Sequence, residues 1–123
     1  MRYLIVLALC FAFSALAQQR GTDHSGVYKG EMATTSGKVE NTLVLKVEGH
    51  KVTGTLTNQY GKLPLIDGAM DGDDVFFAVV VNDEGHDFRM VYRGHIFLND
   101  EFQFRIEAGE RRLDLITRKV SGL

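Results

Sequence analysis

Thr42-Leu43-Val44-Leu45-Lys46-Val47-Glu48-Gly49-His50-Lys51-Val52-Thr53-Gly54-Thr55-Leu56-Thr57 is the stretch that decides the fold. Leu43, Leu45 and Val47 fall on one parity, with Thr42 and Lys46 on the other. Past Glu48-Gly49-His50 the alternation resumes, with Val52, Gly54 and Leu56 set against Lys51, Thr53, Thr55 and Thr57. A side-chain period of two builds a strand with one dry face and one wet face. Two such runs joined by a short Gly-containing turn read as a β-hairpin.

The same grammar extends in both directions. Turn signals recur at Ser36-Gly37, Asn58 to Gly61, Asp71-Gly72-Asp73, Asn82 to Gly85, Asn99-Asp100 and Ala108-Gly109. Phe102, Phe104 and Ile106 oppose Gln103, Arg105 and Glu107. No stretch sustains a helical period. The runs predict strands near 26–33, 39–47, 51–57, 63–69, 74–81, 86–93, 94–98, 101–107 and 111–119, eight or nine in number. Short connections pair sequence neighbours antiparallel. An all-β, up-and-down (meander) barrel of about eight strands follows, because closure removes exposed edges. A two-sheet β-sandwich is the alternative. Gly54 and Gly94, inside strand patterns, mark bulges or tight bends, and Pro64 is expected to start a strand because it cannot donate to a ladder. Val75-Phe76-Phe77-Ala78-Val79-Val80-Val81 is apolar on both faces. It is read as a central covered strand or one that contributes to an outside contact.

The chain opens Met1-Arg2-Tyr3, continues with an apolar run from Leu4 to Phe13, and reaches the small-x-small site Ala15-Leu16-Ala17. This is the pattern of a secretory signal peptide over residues 1–17. The run is shorter than the roughly 20 apolar residues of a spanning helix, so no membrane span is expected. Cys10 sits within the run after Leu9, which does not suit a lipidation site. Cleavage removes the sole cysteine, so the mature chain forms no disulfide and its core alone holds the fold. Cleavage also takes one of 14 basic residues, leaving 13 against 16 acidic ones. A mildly acidic domain argues against nucleic acid as a partner. A flexible leader (18–24) and a single domain (25–120) are expected. The protein is expected to be secreted or periplasmic.

Two resemblances carry further expectations. Gly26-Val27-Tyr28-Lys29-Gly30, with the later Gly49-His50-Lys51-Val52-Thr53-Gly54-Thr55-Leu56, resembles the opening hairpins of avidin-type barrels. The resemblance implies a lipocalin- or avidin-like barrel. The biotin site of that family is walled by Trp, and this chain has none. The second is broader. Gly26-x-Tyr28-x-Gly30, Val52-Thr53-Gly54-Thr55, Ile66-Asp67-Gly68 through Phe77, and Tyr92-Arg93-Gly94 resemble a short all-β bacterial exported domain. That domain occurs alone or attached to exported hydrolases. The resemblance implies an accessory or binding module and transfers no catalytic residue.

Candidate chemistry is sparse. Asp67, Asp71, Asp73 and Asp74 are acidic, but apolar residues and Gly lie between the first two. An EF-hand type of calcium loop alternates its ligands, so Asp71-Gly72 is read as a hairpin turn. His24, His50, His86 and His95 form no close pair, whereas zinc needs three or four converging ligands. No metal site and no cofactor are expected. Ser25, Ser36 and Ser121 lie in leader, turn and tail, and no Gly-x-Ser-x-Gly elbow exists. Glu101 and Glu107, at the two ends of one strand, are expected to form cross-strand ion pairs rather than a catalytic dyad. No catalytic residue is assigned.

The inward parity is the remaining candidate site. Tyr28 and Met32 share one strand face, Phe88, Met90 and Tyr92 another, and Phe104 a third. These six either fill the core or line a small cavity in which flexible Met side chains and Tyr hydroxyls orient a ligand. The expected function is an exported, non-enzymatic binding module for a small apolar ligand or a glycan fragment. A protein–protein interaction or inhibitor module that partners an exported hydrolase is the alternative.

Overall fold

The computed structural model describes residues 23–35 and 37–123, so the signal-peptide reading and most of the leader lie outside the described residues. The fold is all-β. Nine strands run in chain order: β1 (Gly26–Thr34), β2 (Gly37–Glu48), β3 (Lys51–Asn58), β4 (Gly61–Pro64), β5 (Ile66–Asp71), β6 (Asp74–Asp83), β7 (His86–Ile96), β8 (Glu101–Ala108) and β9 (Arg111–Ser121). Among the described residues no helix is long and apolar enough to cross a membrane.

Every pairing is antiparallel, and the order is β2-β1-β9-β8-β7-β6-β5-β3. β3 then returns to β2 along Thr42↔Thr57 through Glu48↔Lys51, which closes an eight-stranded barrel. The deciding hairpin is thus one link of that ring, and the first and last strands meet where β1 pairs with β9, from Val27↔Ser121 to Lys29↔Arg118. β4 is the extra strand and pairs only with β3, over Thr55↔Pro64 to Asn58↔Gly61. The barrel expectation holds, and the sandwich alternative does not describe the molecule.

Two local expectations are corrected. The strands expected at 86–93 and 94–98 are one strand, β7. Its ladder with β6 runs unbroken from Asp74↔His95 to Asp83↔His86. Gly94 does not interrupt it. The missing side chain leaves room for the Phe104 ring, which a Cβ at Gly94 would approach to 2.5 Å. Conversely, the strand expected at 63–69 splits into β4 and β5, and Pro64 ends β4 rather than starting a strand. Leu65 N–H donates to the Gly54 carbonyl at 3.0 Å, and Asp67 has φ 54° beside a register shift between Ile66 and Ala69. A bulge there turns the chain from the edge of β3 onto β6. Asp71-Gly72 forms the expected hairpin turn, with Gly72 at φ 59°.

The inward parity makes one core. Phe77 stacks on Tyr92 with ring centroids 4.9 Å apart, Phe102 stacks on Phe104 at 5.3 Å, and Tyr28 meets Phe102 edge-on at 4.9 Å. Leu43, Leu45, Leu56, Val79, Val81, Ile106 and Leu115 complete it. Interiors of this kind are close-packed, so barrel diameter and side-chain volume are tied together.

Candidate functional site

Five of the six residues proposed from the sequence are buried in the barrel: Tyr28, Met32, Met90, Tyr92 and Phe104. Phe88 is partly buried at the margin of the core, where Tyr60 meets it edge-on at 6.3 Å. The barrel brings Tyr92 and Phe104 into ring contact at 6.1 Å. Tyr28 belongs to the Phe102 side of the core, and its hydroxyl donates to the His24 carbonyl at 2.6 Å. The Tyr92 hydroxyl is buried without a partner among the described residues, as are Asn41 Oδ1 and Thr117 Oγ1. Burial disfavours the phenolate and pushes both tyrosines well above the usual phenol value, with Asp100 and then Asp23 adding to the effect at Tyr28.

A second region emerges on the outer wall. A depression of about 1180 Å³ is lined by His50 and by three consecutive residues from each of five strands: 69–71, 74–76, 93–95, 103–105 and 114–116. In every triplet the central residue faces the core, namely Met70, Val75, Gly94, Phe104 and Leu115. The flanking residues point outward, so the depression is a groove between two rows of outward side chains.

Strand register sets the rows. One runs Asp71, Asp74, His95, Gln103, Ile116, each directly opposite the next. The other runs Ala69, Phe76, Arg93, Arg105, Asp114 in the same way. The first row is acidic at its β5–β6 end and apolar at Ile116, which is half exposed. His95 Nδ1 lies 2.8 Å from Asp74 Oδ1, fixing that imidazole in the row. In the second row the Arg93 guanidinium lies over the Phe76 ring, 5.1 Å from its centroid. This is a cation–π contact. Arg93 Nε also lies 3.9 Å from Glu107 Oε1. Of the six residues proposed from sequence, only Phe104 borders this groove.

Other expectations find definite places. Glu101 and Glu107 do form cross-strand ion pairs, with Arg118 at 3.4 Å and Arg93 at 3.9 Å. Asp67 pairs with Arg89 at 3.0 Å, and Asp73 faces His24 at 3.7 Å. Among the described residues no group of three His, Asp or Glu could hold a metal ion. Of the outward stripe of β6, Val80 is exposed, Phe76 lies beneath Arg93 and Ala78 is buried. A smaller cavity of about 560 Å³ lies at one end of the barrel beside Asp23, His24 and Ser25. There the Ser25 hydroxyl accepts from Val47 N–H at 2.9 Å, tying the chain before β1 to β2.

The groove was missed from sequence because its residues are scattered from His50 to Ile116 and share a surface only through register. The available signal was weak: outward parity carried Arg93, His95, Gln103 and Arg105. No family model, curated protein or solved structure matches this chain.

Proposed function

We propose that the protein is an exported, non-enzymatic binding module that takes a glycan fragment in its outer groove. The carrying observation is the composition of the two rows. Planar polar groups (Arg105, Gln103, His95, Asp74 and the Arg93 guanidinium lying over Phe76) stand beside the exposed apolar surface of Ile116. A sugar presents the complementary surface, with hydroxyls around its rim and C–H groups on its faces. A few placed polar groups around an apolar floor fix such a ligand's orientation. The barrel supplies rigidity, since each row is pinned by ladder hydrogen bonds on both sides. The close-packed aromatic core favours the outer wall over the interior for this role.

Amide chemical-shift mapping with a panel of neutral and acidic oligosaccharides tests the reading. Shifts clustered at 74–76, 93–95, 103–105 and 114–116 are expected. Perturbations confined to Tyr28, Met90 and Tyr92 on adding an apolar ligand would return the site to the barrel interior. Silence of the groove amides across the whole panel would refute the glycan reading.

A further inference from the structure

The groove contains a charge arrangement that a neutral sugar does not call for. Arg93 and Arg105 are directly opposite each other across the β7–β8 ladder. Like charges in that relation destabilise a sheet. Arg93 has partial relief from Glu107 and from the Phe76 ring. Arg105 makes no salt bridge among the described residues, although Asp114 is its neighbour in register. Two arginine side chains thus leave directly opposite positions of neighbouring strands on the groove wall, one of them in cation–π contact with Phe76.

We infer that Arg93 and Arg105 form a subsite for one carboxylate, so that the ligand of the groove is an acidic saccharide of the uronic acid class. This rests on the glycan reading above and narrows it. A carboxylate between the two forks accepts paired N–H donors, the geometry for which Arg is suited and Lys is not. It also removes the Arg–Arg repulsion, so binding and sheet stability gain together. The opposite end of the groove fixes the orientation. Asp71 and Asp74 face each other there and repel a second anion. With His95 held on Asp74, that end offers acceptors to hydroxyl groups. The ligand therefore lies with its acid group over β7–β8 and its hydroxyl-rich end toward β5–β6. No covalent step is involved.

The test is calorimetric titration of the full mature chain with a galactose trisaccharide that carries a single galacturonate at one end and with the fully neutral galactose trisaccharide. The acidic trimer is expected to bind at least about tenfold tighter, and its advantage to shrink as salt rises from low to physiological strength. Arg105→Gln is expected to abolish the preference between the two trimers. Arg105→Lys, which keeps the charge and loses the fork, is expected to recover less than half of the lost binding free energy. Should Arg105→Gln fail to fold, the salt dependence of the unmodified protein and the Lys variant still decide. Equal affinity for both trimers overturns the uronate inference and leaves the glycan reading standing. Absence of binding by either trimer overturns both.

Discussion

Tyr28 and Tyr92 carry the same phenol into one core with opposite hydrogen-bonding outcomes. Tyr28 reaches the His24 carbonyl at 2.6 Å, whereas the Tyr92 hydroxyl finds no partner among the described residues. A satisfied hydrogen bond contributes about 1 kcal/mol, and an unsatisfied buried hydroxyl costs about 1–3 kcal/mol. Tyr28→Phe should therefore destabilise the protein by about 1 kcal/mol, while Tyr92→Phe should be neutral or stabilising. Urea denaturation of the two variants reads this directly, and equal losses would contradict the assignment. Gly54 makes the second residue-scale case. Its φ is +138°, and a Cβ there would lie 1.8 Å from the Val44 carbonyl oxygen. That oxygen is backbone in the β2–β3 ladder and cannot rotate away. Gly54→Ala should cost more than about 2 kcal/mol through strain and overpacking, measured as a lowered urea midpoint. An unchanged midpoint would mean that the ladder is looser than its geometry.

Strands differ in how many neighbours hold them. β7 and β8 pair on both edges along most of their length. β4 has a single ladder, four residue pairs long, with β3. Local opening follows the number of bonds and packed contacts that must be lost. Amide hydrogens of β4 should exchange well ahead of those in β7 and β8 under native conditions. Equal protection across the three strands would show that β4 opens only with the whole barrel. The β7 hairpins also explain a misplaced boundary. Gly94 reads as a break because Gly is unfavourable inside strands. In the barrel it is an accommodation site for the Phe104 ring. Pro64 reads as a strand start for lack of an N–H, yet it ends β4, where Leu65 N–H supplies the next bond to Gly54. Both errors arise from local rules whose outcome is set by a residue on another strand.

At the scale of the whole molecule, stability against pH has two limbs. Both buried tyrosines have phenol values raised above the ordinary 10.0 by desolvation first of all. A raised folded value contributes stability that is complete below the unfolded value and lost as pH climbs past it. Stability should therefore hold steady toward pH 10 and fall beyond it, and Tyr92→Phe should flatten that alkaline limb. Thermal midpoints measured from neutral to alkaline pH check this, and a variant profile matching the parent would refute it. On the acid side, hydrogen bonds from the Ser25 backbone and then its side chain hold the Asp23 carboxyl below its ordinary value. That contribution exists above the unfolded value of 3.8 and fades as pH drops through the folded one. It is small, because Asp23 is on the surface. The sequence by itself determined the strand character, the parity of the core and the short antiparallel connections, because side-chain alternation and turn chemistry are local. From these the meander barrel followed. Only the tertiary structure decided the closure of β1 on β9, the meeting of β3 with β5 past β4, the split at Leu65, and the alignment of Asp74 with His95 and of Arg93 with Arg105. Register between strands is set by closure and by packing of the aromatic core, and neither is written in any single segment. The groove is a product of register, so parity placed its side chains outward and the barrel alone placed them together.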